Sequence, residues 1–468
     1  MRTWIERSKT AAACLLAMAG LGATLASCST GRGPAVPDNR ITVWTQENLP
    51  PRMAVTNKLV DRFEKETGIE VELVGVDEGQ LPQLIMSAAA AGELPDVIGA
   101  VPMGQVWQMY SNGLLNTHVS KEIVRSLSPR TFDANALRMT EDAGTRLAVP
   151  SDAWLQLLVY RKDHLRQAGL PVPDTYATLL DAAAALDRKG RNGITVATDP
   201  ADVFTQQSFE NLALANGCRL VDEGGDVQLD SPVCRKAFTT YDRLGRGHGP
   251  AGTQSVDSTR ATYFSGKASM VVWSSFLLDE LAGLRNDALP SCPACKHDKE
   301  FLSRNSGIVT AMSGPDGSEP AQFGEITSWA VTKTAETAAS RKFVTYMMTK
   351  GYEEWFGMAP EGKIPVRLGT AEDPRRYQRA WRASEAGVET RKPMNEVYSD
   401  ALLDQLMGGV AKMKRWGITE GQGALVGATN GELPVPKAIG AMTSGQITPE
   451  QAAREAADEV SALQKSLR

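Results

Sequence analysis

The sequence has few histidines and no excess of basic residues. Only four His occur among 468 residues, so a His-rich metal site is not expected. Acidic residues outnumber basic ones by 55 to 50, which gives a formal net charge of −5. Proteins that bind nucleic acid through its phosphates are usually basic. We therefore expect no nucleic-acid partner and no metal.

Motifs of common enzyme classes are also missing. The chain has no GxSxG nucleophile elbow and no HExxH zinc helix. The glycine-rich segment 421–427 lacks the Lys-Ser/Thr ending of a P-loop and the preceding strand of a dinucleotide-binding fingerprint. These absences favour a binding protein without a cofactor over an enzyme.

The N-terminal segment has the pattern of a secretion signal. Basic residues precede an apolar run over 11–26, which is shorter than the roughly 20 residues that a membrane span needs. The run ends in Leu-Ala-Ser-Cys, the pattern of a bacterial lipobox, in which cleavage precedes the cysteine and lipid is attached to it. We therefore predict a signal peptide over 1–27, a lipidated Cys28 and a flexible tether over 28–39. The alternative is a plain secretory signal in which Cys28 is incidental.

Four cysteines follow this segment, an even number that suggests disulfides outside the cytoplasm. Residues 218–230 read as a hairpin, which would bring Cys218 near Cys234 at the start of the next helix. Cys292 and Cys295, in the sequence CPAC, would then bridge locally. Two other readings of CPAC remain, a redox dithiol and half of a zinc site, although the strand–helix context and a second cysteine pair are missing.

The first third of the chain alternates strand and helix signals. Strands are predicted over 41–45, 69–74 and 94–98, with helices over 53–67 and 81–91 between them. This order predicts a parallel sheet covered by helices. Ligands of such sheets bind at the carboxyl ends of the strands, so the loops that follow these strands are the first candidates for a site.

Further signals follow along the chain. Strands are predicted over 147–150, 155–160 and 328–332, and a helix over 335–348. Thr175 and Thr448 are predicted helix N-caps, and Thr448 has the glutamine three residues on that completes a capping box.

An ordered set of short segments runs from about residue 40 to the C-terminus: FEKETGIEV at 63–71, GELPDV at 92–97, AVP at 148–150, LVYRKD at 158–163, AGL at 168–170, PDTY at 173–176, FSGKA at 264–268 and IPV at 364–366. This set resembles the family 1 extracellular solute-binding proteins of ABC importers, the sugar-binding lipoproteins related to maltodextrin-binding protein. One departure is Thr178, where that family usually has an acidic residue in the first turn of the helix.

The resemblance implies an α/β fold of the two-lobe, periplasmic-binding-protein type (type II), with a hinge and a ligand cleft between the lobes. Carried onto this chain, lobe 1 comprises 40–149 plus 320–362, and lobe 2 comprises 150–319 plus 363–468. The chain would cross between the lobes near Pro150, Gly317 and Ile364.

Sugars present apolar faces and hydroxyl groups, which aromatic rings, carboxylates and amides recognise. Several tryptophans and acids stand next to polar residues at predicted strand ends. The predicted ligand-binding residues are Trp44, Gln46, Glu47, Met103, Gln105, Asp152, Trp154, Trp273, Ser274, Glu325, Trp329 and Trp416. The resemblance favours Trp154, Trp273 and Trp329 in particular. The competing interpretation is that each tryptophan belongs to the core and each acid is a solvated loop charge.

The function that the resemblance implies is capture of a sugar or oligosaccharide on the outer face of the bacterial cell membrane, followed by delivery to the permease of an ABC importer. The protein would be a monomer, anchored to the membrane through Cys28. One alternative is a non-sugar solute such as a glycerophosphodiester. Another is an extracytoplasmic glycosidase with Asp152 and Glu325 as its carboxylate pair.

Overall fold

The computed structural model describes residues 39–467, which lie within one compact unit. The predicted signal peptide, Cys28 and the tether up to Asp38 lie outside the described residues. The strands are β1 Arg40–Thr45, β2 Glu70–Gly75, β3 Val97–Pro102, β4 Glu141–Asp142, β5 Thr145–Arg146, β6 Val149–Arg161, β7 Met270–Ser274, β8 Ser306–Val309, β9 Gly324–Val331, β10 Ile364–Pro365, β11 Glu385–Ala386 and β12 Lys392–Pro393. The helices are α1 Pro50–Thr67, α2 Leu81–Ala91, α3 Met103–Ser111, α4 Thr117–Ser126, α5 Ala134–Met139, α6 Lys162–Ala168, α7 Tyr176–Leu186, α8 Val203–Ala215, α9 Pro232–Asp242, α10 Val256–Phe264, α11 Leu277–Leu281, α12 Phe301–Asn305, α13 Thr337–Met347, α14 Tyr352–Gly357, α15 Arg376–Ala383, α16 Met394–Val397, α17 Asp400–Lys412, α18 Gly423–Glu432, α19 Pro434–Thr443 and α20 Pro449–Ser466.

The first three strands form the predicted parallel sheet. β1 pairs in parallel with β2 on one side and with β3 on the other. The third strand begins later than the prediction of 94–98, because Asp96 is held in a loop. Its carboxylate accepts hydrogen bonds from the backbone N–H of Thr42, at 2.8 Å, and of Glu336, at 2.6 Å. The strand therefore extends to Pro102 and places Met103 directly at its carboxyl end.

β6 is one long strand where the sequence predicted two. Its first half pairs with β9 and β10, and its second half pairs with β7 and β8. The central sheet has the order β10-β6-β9-β3-β1-β2, so β6 joins this group of strands to the pair β7 and β8. The register shifts between Pro150 and Asp152, as in a β-bulge. This one strand connects the two halves of the fold.

Alternation along β6 separates polar from apolar side chains. Asp152 and Trp154 lie opposite Thr327 and Glu325 of β9, and cross-strand partners in an antiparallel pair share a face. Leu155, which follows Trp154, lies on the other face, where it packs near Gly409 of α17. One face of the β6–β9 pair is therefore polar, and it faces away from α17.

Helix caps follow the sequence signals. The hydroxyl of Thr175 accepts from the backbone N–H of Thr178, and the Thr178 hydroxyl accepts from the N–H of Thr175. Thr178 thus takes over the capping contact that an acidic residue would otherwise make. Thr448 and Gln451 form the predicted capping box of α20.

The four cysteines beyond the N-terminal segment are paired in the structure. The Sγ atoms of Cys218 and Cys234 are 2.04 Å apart, and those of Cys292 and Cys295 are 2.09 Å apart. The predicted hairpin is reduced to a single bridge between Val221 and Val227, since the turn is held mainly by Asp222.

None of the helices within 39–467 combines the length and the apolar character that crossing a membrane requires. Within the same residues, His, Cys, Asp and Glu side chains form no group of three or more that could hold a metal ion.

Candidate ligand-binding site

A buried lysine lies at the centre of the polar face of β6. The Nζ atom of Lys363 donates to Glu47 Oε1 at 2.6 Å and to Asp152 Oδ1 at 2.8 Å, and it lies 4.4 Å from the centre of the Trp355 ring. Burial alone would lower the pKa of Lys363, but the charges of Asp152 and Glu47 outweigh it and raise the pKa. Lys363 therefore stays charged and holds the loop after β1 against the first half of β6.

Asp152 is saturated by protein donors. Besides Lys363, it accepts hydrogen bonds from Thr327 Oγ1 at 2.9 Å, from Trp355 Nε1 at 3.0 Å and from the Ser151 hydroxyl. A carboxylate offers about four lone-pair sites, and all of them are used here. In this arrangement Asp152 positions Lys363 and leaves no acceptor site for a ligand.

Glu47 keeps acceptor capacity. Its Oε2 atom accepts from Arg52 at 2.9 Å, and its Oε1 atom accepts from Lys363. Burial alone would raise the pKa of Glu47, but Lys363 and Arg52 together lower it to about 2. The carboxylate is thus fully charged at neutral pH, and each oxygen has a second lone pair to offer to a hydroxyl donor.

Glu325 on β9 is the centre of a second group of charged residues. Its Oε1 atom accepts from the backbone N–H of Met103 at 2.9 Å, and its Oε2 atom is paired with Arg415. Arg415 also reaches Glu210 Oε1 at 3.2 Å. Burial raises the pKa of Glu210 in spite of the Arg415 charge. Met103, fully buried, thus contributes its backbone rather than its side chain.

Glu78, which the sequence prediction did not include, lies near these two charged groups. Its side chain is exposed to water, yet the surrounding protein raises its pKa. The charges of Glu47, Glu325 and Asp202 raise it further. Glu78 therefore lies near the other carboxylates, and we call the surface around Glu47, Glu78 and Glu325 the recess.

Two of the five predicted tryptophans have partly exposed rings. Trp154 lies opposite Glu325 in the β6–β9 register, with its ring centre 5.7 Å from that of Phe323. Trp44 lies on β1 with an intermediate exposure. These are the predicted rings that a ligand could contact without a change in core packing.

The other three tryptophans are buried with protein partners. Trp273 donates its indole N–H to the Val256 carbonyl at 3.0 Å, and Trp416 donates to the Cys218 carbonyl at 2.9 Å. Trp329 is fully buried, 4.6 Å from the ring centre of Trp355. The structure does not bring these three rings to the recess.

The remaining predicted residues are polar groups near the strand ends. Gln105 is nearly buried and donates to Gln108 at 2.9 Å. Gln46 is partly exposed directly before Glu47, and Ser274 ends β7 nearly buried. Of these, Gln46 is the one that combines exposure with closeness to the Glu47 carboxylate.

Phe276, another residue that the sequence prediction missed, follows β7 and contacts the segments around Lys363 and Arg52. A Cβ placed on Gly362 would lie 1.9 Å from the Phe276 ring, so the ring rests directly on the backbone there. The Arg52 guanidinium carbon is 5.2 Å from the ring centre. Phe276 lies two positions beyond Ser274, in the loop after β7 where the sequence analysis predicted ligand contacts. The sequence offered only one indication for Lys363. It directly precedes the segment IPV at 364–366, one of those on which the family resemblance rests.

Comparisons with known proteins identify the family of the chain. A family model described as bacterial extracellular solute-binding protein matches residues 58–384. A protein of Escherichia coli K12 named as an ABC transporter periplasmic-binding protein, YcjN, is 30% identical over 323 residues, which cover 67% of this chain and 70% of the relative. A maltooligosaccharide ABC transporter solute-binding lipoprotein of Streptococcus pneumoniae R6 is 25% identical over 66% of this chain and 68% of its own.

Solved structures share the fold. Maltose-bound MalE3 of T. maritima superposes with a TM-score of 0.69 at 18% identity, covering 91% of this chain and 99% of its own. A sugar transporter of Arthrobacter chlorophenolicus A6 with bound laminaribiose gives a TM-score of 0.69 at 15% identity, covering 90% of this chain and 99% of its own. The predicted α/β fold of the two-lobe solute-binding type is confirmed.

Proposed function

The chain belongs to the bacterial extracellular solute-binding protein family, and from this premise we propose that it captures a sugar or oligosaccharide and delivers it unaltered to the permease of an ABC importer. The observation that carries the proposal is the set of charged contacts around Glu47 and Glu325. It offers charged acceptors for hydroxyl groups together with the partly exposed ring of Trp154. Related proteins named for maltooligosaccharides support the same class of ligand.

The charge of the recess supports a ligand without negative charge. The cations that contact its carboxylates Glu47 and Glu325 are Lys363, Arg52 and Arg415, and each is engaged in these ion pairs. A phosphate group would need a free cation there, and the nearby carboxylate of Glu78 would repel it. The recess thus supports a sugar over the glycerophosphodiester alternative.

The same contacts argue against the glycosidase alternative. A glycosidase needs one carboxyl group as acid and another as nucleophile or base. Asp152 has its lone pairs occupied by protein donors, and Glu325 is paired with Arg415. Neither is poised to exchange a proton with a substrate, which supports binding without chemistry.

Capture would occur by closure of two lobes about β6 and β9. We assign 40–149 plus 320–362 to one lobe and 150–319 plus 363–468 to the other. Within the second range, α15 packs on the first lobe, because the Trp381 indole donates to the Pro360 carbonyl at 2.7 Å. Residues of α15 would therefore move with lobe 1. A ligand that contacts both lobes only when they are closed would shift the population toward that state.

Lipidation of Cys28 would keep the protein near its permease. Attachment to the membrane raises the effective concentration of the protein near the permease without any new protein contact. Outside the cytoplasm, the Cys218–Cys234 and Cys292–Cys295 disulfides would persist, and the protein would act as a monomer. Intact-mass measurement of the membrane fraction checks the acyl groups, with Cys28→Ala as the variant that should stay unacylated.

The experiment that tests the function is a thermal-shift screen of the mature chain against neutral mono- and oligosaccharides. A ligand at a hundredfold excess over its Kd adds about 2.7 kcal/mol of stability by mass action. Chromatography of the recovered sugar should show it intact. If no saccharide raises the melting temperature, or if the sugar is cleaved, the proposal fails.

A further inference from the structure

Helices α3 and α18 pack on each other, although they come from the two ranges that we assign to different lobes. α3 begins at the carboxyl end of β3, and the backbone N–H of its first residue, Met103, donates to Glu325. It therefore lies in the lobe 1 range, directly beside the recess. α18 lies in the C-terminal part of the lobe 2 range. The contact between these two helices thus joins the lobes next to the candidate site.

Glycines allow the two helices to approach closely. Gly423 and Gly427 are four residues apart on α18, and both lie against α3. A Cβ at Gly423 would overlap the indole ring of Trp107, and a Cβ at Gly427 would lie 3.0 Å from the carbonyl oxygen of Gly104. At Gly431, four residues further along α18, an added Cβ would have nothing within 4 Å. The contact therefore requires the first two positions, but not the third, to lack a side chain.

Asn430 adds a polar connection to the contact. Its Oδ1 atom accepts a hydrogen bond from Gln206 Nε2 at 3.0 Å. Gln206 is a buried residue of α8, in the lobe 2 range. The amide group of Asn430 lies against Gly104 in the first turn of α3. The hydrogen bond from lobe 2 thus orients a side chain whose other end rests on lobe 1.

Hydrogen bonds attach the start of α18 to lobe 2. The backbone N–H of Gln422 donates to the Gly417 carbonyl at 2.7 Å. The preceding Trp416 donates its indole N–H to the Cys218 carbonyl at 2.9 Å and its backbone N–H to Glu210 Oε1 at 2.7 Å. Both of these acceptors belong to the lobe 2 range. If the lobes separate, α18 should therefore stay with lobe 2 and leave α3.

The buried indole of Trp107 opposes the contact. The residue is only 3% exposed, and its Nε1 atom has no hydrogen-bond partner among the described residues. A buried donor without an acceptor costs free energy, and water could supply the acceptor once α18 moved away. Apolar burial favours the contact and the unpaired N–H disfavours it. Such a balance suits a contact that opens and closes reversibly.

We propose that the contact between α3 and α18 is a latch that holds the two lobes closed before a ligand binds. The inference rests on the proposed function, because it needs lobes that open and close. A ligand that is contacted from both lobes binds only the closed state, so its apparent affinity rises with the fraction of protein that is already closed. Opening of the latch is then the step that admits and releases the ligand.

A disulfide across the contact tests whether the latch is closed without ligand. A Cβ at Gly104 would lie 3.9 Å from the Cβ of Asn430, a separation that disulfides span. We expect the double variant Gly104→Cys/Asn430→Cys, made in the unliganded mature chain with Cys28→Ala, to lose both added thiols on mild oxidation. Thiol titration measures this loss. Each single-cysteine variant is a control that should keep its thiol.

Small-angle X-ray scattering of the unliganded protein tests whether the contact holds the lobes together. A compact chain of this length has a radius of gyration of about 22 Å. We expect Gly423→Ala to increase the radius over that of the unsubstituted chain, because the added methyl group displaces α18 from Trp107. Gly431→Ala, on the same helix, should leave it unchanged. Circular dichroism checks the fold of each variant, and Gly427→Ala, a milder change, is used if Gly423→Ala does not fold.

Both measurements are made without ligand, so they are independent of the test of the proposed function. If the cysteine pair keeps its thiols, the helices are apart in the unliganded protein and the inference is wrong. If the pair is oxidised but the folded glycine variant keeps the radius of the unsubstituted chain, the helices touch without holding the lobes together, and the inference is again wrong. Failure of every saccharide in the thermal-shift screen would instead reject the proposed function.

Discussion

Lys363 donates to Asp152 across 2.8 Å, and both side chains are almost completely buried. The pair ties the segment before β10 to the first half of β6, a few residues before the strand changes its pairing from β9 and β10 to β7 and β8. Because Lys363 also bonds Glu47, the loop that carries the best remaining hydroxyl acceptor is fixed before any ligand arrives. Preorganisation of this kind lowers the entropic cost of binding.

Loss of the Lys363 charge should destabilise the fold. Lys363→Met leaves the buried carboxylates of Asp152 and Glu47 without their shared cation, which typically costs about 3–5 kcal/mol. The control is Lys350→Met, because Lys350 pairs with Glu66 at the surface, where solvent screens the pair and it contributes little to stability. Urea unfolding measures both variants. An equal loss of unfolding free energy in the two variants would contradict the conclusion that Lys363 stabilises the fold through Asp152 and Glu47.

Glu47 should contribute stability that acid removes. Its pKa is lowered to about 2 in the folded protein from an ordinary value of 4.5. The contribution is therefore complete above pH 4.5 and is lost as the pH falls toward 2. Glu47→Gln should flatten the unfolding free energy over this window, as measured by urea denaturation at a series of pH values. An unchanged acid slope in the variant would show that Glu47 is not responsible.

Glu280 should have the opposite effect on the pH dependence of stability. Its pKa is raised to about 7 in the folded protein from an ordinary value of 4.5, so the folded state binds the proton more tightly. Stability should fall as the pH rises from 4.5 to 7, by up to about 1.4 kcal/mol per pH unit for one proton. Glu280→Gln should remove this slope, whereas Glu93→Gln should keep it. Identical pH profiles for the two variants would contradict the assignment.

The tryptophans should divide into two classes. Trp154→Ala should weaken sugar binding at least tenfold, or about 1.4 kcal/mol, with little loss of stability, because its ring is partly exposed. Trp329→Ala should cost about 3–5 kcal/mol of stability, because its ring is fully buried. Calorimetry and urea unfolding on both variants check the division. A destabilised Trp154→Ala with unchanged affinity would reverse the assignment.

A methyl group at Gly362 should push Phe276 away. The added Cβ would lie 1.9 Å from the ring, a distance that non-bonded atoms do not tolerate, so the Phe276 loop must move. We expect Gly362→Ala to weaken ligand binding about tenfold, or about 1.4 kcal/mol, and Phe276→Leu to restore part of it in the double variant. Gly408→Ala is the control, because nothing lies within 4 Å of its added Cβ. Additive effects of the two substitutions would show that the contact is unimportant.

Part of the fold could be predicted from local sequence patterns. The strands and helices between residues 40 and 100 follow from the alternation and the helical spacing of apolar residues. The caps at Thr175 and Thr448 follow from a hydroxyl group that stands three residues before a second polar side chain, which completes the capping box. Each of these signals arises between residues close in sequence. The ordered short segments then indicated the family without any contact being known.

The long strand β6 could not be predicted from such patterns, because Ser151 and Asp152 interrupt its apolar run and look like a break between two strands. Their polar groups are instead satisfied by Trp355, Thr327 and Lys363, about two hundred residues away in sequence. The same holds for the tryptophans. The sequence determined that indole rings and carboxylates follow strand ends, but the tertiary structure decided that Trp154 reaches the polar face while Trp329 enters the core. The reason is that exposure depends on which distant elements pack against each face of a strand, and alternation within one strand does not contain that information.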